Sequence, residues 1–232
     1  MTRAIPSTPV ASRIHTIGLL AIIAVWAGLG VITAAKMRAH AGPPLVVFYS
    51  AAVVVDWLIV AYLVVGIRRQ GGSVRDLIGG SWNRGKDFWR DVLVGLVFWI
   101  AALVILGALR LALQVSRGVD AVRFVAPQSR VEIFLWVLVS LTAGFCEETI
   151  FRGYLQRQFI AWLGKPGLGI LLSAAVFGLI HAYQGAKQAI VIGVFGALFG
   201  ILAYWRRSLR PGIMVHAWHD SIFGLAMYLL PK

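Results

Sequence analysis

Two adjacent carboxylates and an arginine interrupt an otherwise apolar stretch of this chain, in Cys146-Glu147-Glu148-Thr149-Ile150-Phe151-Arg152. A charge at the centre of a bilayer costs roughly 3 kcal/mol or more, so acids kept in such a setting mark a functional site or a buried pair. Side chains of neighbouring helical residues diverge by about 100°. Arg152 follows Glu148 by four positions and shares its face, so those two can pair. Glu147 is then the carboxylate left without a local partner, the one free to do chemistry. Later segments add polar groups at the same helical spacing: Phe177 with His181, then His216 with Asp220, with His219 on a neighbouring face.

A Glu, two His and an Asp converging inside a membrane suit the activation of water. The glutamate accepts a proton with help from one histidine, while another histidine and an acid support the developing oxyanion. The same four residues, Glu147, His181, His216 and Asp220, are donor types that can ligate a divalent metal such as zinc. No His-Glu-x-x-His motif is present, so spacing alone does not demand zinc. Readings without hydrolysis stand beside these. A membrane histidine commonly hydrogen-bonds within a bundle, a Glu–Arg pair is commonly structural, and a proton-coupled transporter uses such groups as well. The two halves of the chain show no matching inverted repeat, which weakens the transporter. A non-catalytic immunity or partner-regulating membrane protein is the main alternative to an enzyme.

The elements that must position these residues are membrane helices. Of 232 residues, 59% are hydrophobic and only 13% charged, and the mean hydropathy is +0.82. A soluble domain carries about 25% charged residues. The expected fold is therefore all-α, a polytopic transmembrane bundle. Its 22 Lys and Arg against 9 Asp and Glu give a net charge of +13. Those charges fall between apolar runs, which points to topology and anionic lipid headgroups and away from nucleic acid. The single cysteine, Cys146, excludes an internal disulfide.

Seven apolar runs are expected to span: about 16–35, 45–67 (with Asp56 in its middle), 92–113, 131–163, 168–183, 188–205 and 212–230. An eighth pass is open if residues 111–125 re-enter. Residues 1–15 read as a polar tail. The first run could be a signal peptide ending at Ala39-His40-Ala41, but it exceeds the usual ~7–15-residue apolar core, which favours an uncleaved helix. Residues 68–91 read as a polar, basic loop broken by Gly71-Gly72 and Gly79-Gly80, and 114–130 as an interfacial connection. The fourth run could be one helix or kink at Gly144 or Gly153. Gly193, Gly196 and Gly200 line one face of the sixth run, which implies close helix packing. Alternate connections carry the heavier Lys and Arg share on the side of Arg3 and Arg13, which places the N-terminus in the cytoplasm.

Depth ties the acids to a histidine. If 163–166 is a hairpin turn, Glu147 and His181 both lie about 23 Å from it and can face each other. His216 lies only about 8 Å beyond Pro211. To reach the same level, the hairpin at 163–166 must project beyond the membrane surface, or a helix must tilt or kink.

With Glu147-Glu148-x-x-x-Arg152, Phe177-x-x-x-His181 and His216-x-x-x-Asp220 in this order, the chain resembles the CAAX-protease and bacteriocin-processing (CPBP, or Abi) family of intramembrane proteases. His181-Ala-Tyr-Gln-Gly and Leu209-Arg-Pro-Gly-Ile-Met-Val-His216 fit the same pattern. The resemblance covers about residues 130–230 and divides the chain into a tail (1–15), N-terminal helices and basic loops (16–130) and a protease-like core (131–232). It implies an endopeptidase of the cell membrane, bacterial and cytoplasmic-facing at its N-terminus, acting on a peptide or membrane protein. Glu147 would be the water-activating base, His181 its partner, and His216 with Asp220 the oxyanion support. Glu148, Arg152 and Phe177 would hold the geometry. The third motif often ends in Asn. Here Asp220 would be protonated, would orient His216 or would bind metal, so both a glutamate-type and a metal-dependent mechanism stay open.

Overall fold

The computed structural model describes residues 8–115 and 122–229. Arg3, Arg117 and Lys232 of the charge count, the middle of the 114–130 connection and the end of the seventh run lie outside them. Among the described residues there are helices and turns and no strand, as the composition required.

Helix α1, Arg13–Arg38, is capped by Ser12, whose side chain accepts the His15 N–H at 3.2 Å. A second span, α2, covers Leu45–Arg69. The basic loop that follows is not all loop. Ser73 and Asp76 form a capping box that starts a short helix, α3, Val74–Ile78. The next helix, α4, begins at Gly85 and runs to Ala112, so Lys86, Trp89 and Arg90 extend it by two turns below the apolar run. Polar residues in a helix that emerges from a membrane lose no helical hydrogen bond, and hydropathy alone therefore underestimates its length. A 3-10 turn, Arg123–Val125, leads to α5, Arg130–Glu147, opened by a second capping box from Ser129 and Glu132.

The fourth span is one continuous helix of 34 residues, Arg130–Leu163. Its irregularity lies at neither expected kink alone. Residues Glu148–Leu155 form a π-helix that contains Gly153, and the chain resumes α-geometry as α6, Gln156–Leu163. Gly164, at φ +64°, terminates it in the left-handed region that only glycine adopts freely. Pro166 opens α7, Pro166–Ile180. The last two helices are α8, Ala186–Arg206, and α9, Arg210–Leu229.

The seven expected spans divide into two kinds. Among the described residues five helices are long and apolar enough to cross a membrane: α1, α2, α4, α5 through α6, and α8. Helix α7 is apolar but has 15 residues, short of the roughly 20 needed for a bilayer core. Helix α9 has the length but carries Arg210, His216, His219 and Asp220. The two helices that fall short are those that bring histidines to the candidate site. Both are packed among the others: α7 lies between α8 and the α5–α6 helix, and α9 lies along α5 and α4.

The level of α9 follows from a strap of contacts at one end of the bundle. The N–H of Leu209 and the hydroxyl of Ser208 both donate to the Ile78 carbonyl, at 2.9 and 3.1 Å. Arg157 donates to the Leu77 carbonyl at 2.7 Å. The Leu209 side chain packs directly on Gly153, where an added Cβ would come within 3.0 Å of it. The α8–α9 turn is thus level with Gly153, about ten residues or 15 Å short of the hairpin tip. The hairpin projects past the start of α9, and that resolves the depth mismatch of His216.

A carboxylate that no sequence motif marked anchors the same end. Asp91 is fully buried and takes ion pairs from Arg206 at 2.8 Å and Arg210 at 3.0 Å, with a hydrogen bond from the Trp82 indole at 2.9 Å. It joins α4 to both sides of the α8–α9 turn. Asp91→Ala leaves two largely buried guanidinium groups unpaired, a change that costs about 3 kcal/mol or more. A thermal melt of the detergent-purified variant is expected to show a clearly lowered midpoint.

Candidate functional site

The π-helical stretch places its residues unusually deep. All eight, Glu148–Leu155, are buried. Such i→i+5 bulges are uncommon and occur often at functional sites, because the widened turn re-aims side chains and frees carbonyls. Here the Phe151 carbonyl accepts a 2.7 Å hydrogen bond from Ser173 of α7.

Glu148 is the hub. Its Oε1 lies 3.0 Å from Arg152 Nη1, the i,i+4 ion pair expected from spacing, with side-chain exposures of 1% and 2%. The same oxygen lies 3.0 Å from Nδ1 of His216. Gly212 makes room for the carboxylate: a Cβ there would come within 3.1 Å of Glu148 Oε2. Arg152 also donates to the Gly196 carbonyl at 3.2 Å and lies over the Phe177 ring, 4.2 Å from its centroid. A buried guanidinium is tolerable only when its donors and faces are satisfied in this way. The glycine stripe of α8 therefore does more than bring helices close. It exposes a carbonyl to Arg152, and the Gly200 carbonyl similarly takes a 3.0 Å hydrogen bond from Gln156.

His216 gathers three carboxylates. Beyond Glu148 at Nδ1, its Nε2 lies 3.6 Å from Glu147 Oε2 and 3.5 Å from Asp220 Oδ2. Nδ1 is within hydrogen-bond reach of Glu148, whereas the two Nε2 contacts are longer. Phe177 and Phe199 wall it, with ring centroids 6.2 and 5.6 Å away. The approach of α9 to α5 rests on Gly144, where a Cβ would come within 2.9 Å of Ala217.

Glu147 and Asp220 are the less enclosed members, with side-chain exposures of 17% and 34%. Glu147 Oε2 is buried without a hydrogen-bond partner among the described residues. The depth argument paired Glu147 with His181, but the imidazole beside Glu147 is that of His216. His181 ends α7, where its Nδ1 donates to the Phe177 carbonyl at 2.9 Å and its ring lies 4.8 Å from that of Phe177. Its other nitrogen is left as an acceptor. His181 interacts electrostatically with His216 and Asp220, so it belongs to the same cluster from the far side of Phe177.

His219 accepts a 3.1 Å hydrogen bond from the Trp99 indole and interacts electrostatically with Asp220 and His216. The sequence reading missed three neighbours. Phe199 walls the centre one turn beyond Gly196. Trp136 donates to the Asp220 carbonyl at 2.8 Å and fixes the backbone that carries the carboxylate. Ser173 holds the π-turn. None has a motif of its own, although a serine inside an apolar helix is a signal of a needed hydrogen bond.

Metal ligation is a further possibility for these donors. Among the described residues no three or more His, Cys, Asp or Glu side chains form an arrangement that would hold a metal ion. In particular, both nitrogens of His216 are directed at carboxylates.

The fold and this centre define a polytopic helical membrane protein with a buried acid–histidine cluster. Residues 129–222 match the family model described as type II CAAX prenyl endopeptidase Rce1-like. The match starts at the capping Ser129 and ends just past Asp220, so it contains all three motifs. The match agrees with the resemblance drawn from the motifs. No curated protein and no solved structure matches the chain.

Arg152→Ala removes the cation paired with Glu148 and leaves that carboxylate with His216, and Arg152→Lys keeps the charge but loses the forked donor and the flat face over Phe177. The alanine variant is expected to lose about 3–5 kcal/mol and the lysine variant an intermediate amount, both read as thermal midpoints in detergent.

Proposed function

We propose that the chain hydrolyses a peptide bond of a membrane-associated protein or peptide, with Glu147 as the base that activates water. The observation that carries this reading is the division between the two glutamates. Glu148 Oε1 is held at 3.0 Å by both Arg152 and His216 with its side chain 1% exposed, whereas Glu147 reaches His216 only at 3.6 Å and keeps 17% of its side chain exposed, with Oε2 lacking a hydrogen-bond partner among the described residues. A buried, unpartnered acceptor carries a desolvation cost of about 1–3 kcal/mol, which a water molecule or substrate relieves.

In this mechanism a water between Glu147 and the scissile carbonyl gives its proton to Glu147 as its oxygen bonds to the carbonyl carbon. His216 Nε2, 3.6 Å from Glu147 and 3.5 Å from Asp220, donates toward the oxyanion. Such distances commonly tighten on substrate binding. Asp220 orients His216. His181, held by the Phe177 carbonyl, offers an acceptor that assists the proton transfer. Collapse of the tetrahedral intermediate breaks the C–N bond, and Glu147 returns the proton to the leaving amine. No step runs through a metal. A metal-dependent variant rests on the donor types of Glu147, His181, His216 and Asp220. The substrate class includes prenylated C-termini, because the matched family is described by that activity. The membrane is a bacterial cytoplasmic one with the N-terminus inside.

The test uses the purified chain in detergent with a quenched-fluorescence peptide ending in a prenylated cysteine motif, alongside a comparison of membrane peptides from cells carrying wild type or Glu147→Gln. Loss of the general base lowers turnover by about 10²-fold or more. Glu147→Gln cleaving at the wild-type rate in both assays contradicts the reading. Activity that survives a chelator supports the glutamate-type mechanism. Activity lost to a chelator and restored by zinc supports the metal-dependent one.

A further inference from the structure

The outer faces of α4 and α8 do not close on each other. Between them lies an apolar groove of about 450 Å³, walled by Leu93, Val97 and Ala101 of α4 and by Leu198, Ile201 and Trp205 of α8. Leu93, Val97, Ile201 and Trp205 are exposed, as on a face turned to lipid. Phe98 lines the floor and packs edge-on against Phe199, with centroids 5.0 Å apart. Phe199 in turn walls His216. Two aromatic rings therefore stand between the groove and the acid–histidine cluster, so a chain lying in the groove is not delivered to Glu147.

The groove has a direction. From Leu93 to Ala101 it follows the axis of α4 for about 12 Å. That is most of the hydrocarbon depth of one leaflet, about 15 Å. One end is marked by charge. The stripe of Leu93, Val97 and Ala101 extends back at helical spacing to Arg90 and Lys86, both exposed. On α8 the stripe ends at Trp205, with the Arg206 guanidinium 5.6 Å from its ring centroid and the exposed Arg207 next in the chain. Asp91 ties the two helices together here through Arg206 and Arg210. Asp87 meets Arg90 only at 3.7 Å, an exposed pair of small worth. Lys86, Arg90, Arg206, Arg207 and Arg210 thus outnumber Asp87 and Asp91 at the mouth. Trp89 and Trp205, both exposed, suit the headgroup zone.

We infer that the α4–α8 groove is a binding site for an anionic glycerophospholipid. One acyl chain fills the groove, and the phosphate lies at Arg90 with Lys86 and Arg207 around it. An apolar chain alone accounts for the walls but not for the basic mouth, and a free phosphate accounts for the mouth but not for the walls. Basic clusters at a membrane surface attract anionic headgroups, and only a lipid of that charge joins both parts. The bound lipid bridges α4 and α8 at the end where Asp91 already links them. The site lies apart from the acid–histidine centre and does not depend on the hydrolytic reading.

The test is native mass spectrometry of the delipidated full chain in detergent, titrated with phosphatidylglycerol or with phosphatidylcholine of the same acyl chains. One phosphatidylglycerol is expected to bind about tenfold or more tightly than phosphatidylcholine. Arg90→Ala and Arg207→Ala are each expected to weaken phosphatidylglycerol about fivefold and to leave phosphatidylcholine unchanged. Val97→Trp fills the groove from an exposed position and is expected to abolish the selective binding while melting as wild type in lipid-free detergent. Should it not be recoverable, Ile201→Trp is read by the same criteria. Equal retention of the two lipids by the wild-type chain overturns the inference. So does phosphatidylglycerol selectivity that survives the arginine and groove-filling variants. A prenylated peptide whose binding is blocked by Val97→Trp, while that of phosphatidylglycerol is not, assigns the groove to substrate and likewise overturns it.

Discussion

Glu148 is the constraint on which the site depends. Its carboxylate is buried within a membrane helix and holds Arg152 and His216 at 3.0 Å each. A lone carboxylate there would be untenable, so the chain supplies a cation one turn on and a ring donor from another helix. The arrangement has a geometric consequence. Helix α9 must sit at the height that brings His216 to Glu148, and the strap through Ile78, Ser208 and Leu209 sets that height. Once His216 is held at Nδ1 by Glu148, its Nε2 points to Glu147 and Asp220. The buried, paired acid thus orients the ring that also faces Glu147, the acid we propose as the base.

The same logic explains why the weakest membrane helices carry the histidines of the site. Helices α1, α2, α4 and α8 expose apolar residues to lipid and need nothing else to be stable in a bilayer. Helix α7 is too short, and α9 too polar, to be placed on composition alone. Each is stabilised by close packing at glycines: Gly178 of α7 against Ala189 and Gly193 of α8, and Gly144 of α5 against Ala217 of α9. Small residues at helix crossings replace a hydrophobic driving force that lipid does not provide.

Much of this was legible in the sequence, for identifiable reasons. The Glu148–Arg152 pair follows from i,i+4 spacing in an apolar setting, and the spans follow from runs of apolar residues. The hairpin at Gly164-Lys165-Pro166 reads directly from turn chemistry. The choice between His181 and His216 as neighbour of Glu147 did not, because equal depth leaves helix rotation undetermined. His181 ends α7 and turns its Nδ1 back to the Phe177 carbonyl, a capping detail that no spacing reveals. Asp91 escaped notice because its partners, Arg206 and Arg210, are more than a hundred residues away. The lengthening of α4 was hidden by its charged first turns, and the π-helix by a sequence that satisfies an ordinary helical pattern equally well.

The central claim is that two neighbouring glutamates have separate jobs. The most direct measurement compares Glu147→Gln and Glu148→Gln for thermal midpoint and peptide cleavage in the same detergent preparation. The account predicts that Glu147→Gln melts close to wild type and does not cleave, whereas Glu148→Gln melts lower because Arg152 and His216 lose their shared partner. A Glu147→Gln chain that melts low while Glu148→Gln melts normally and alone abolishes cleavage would contradict it.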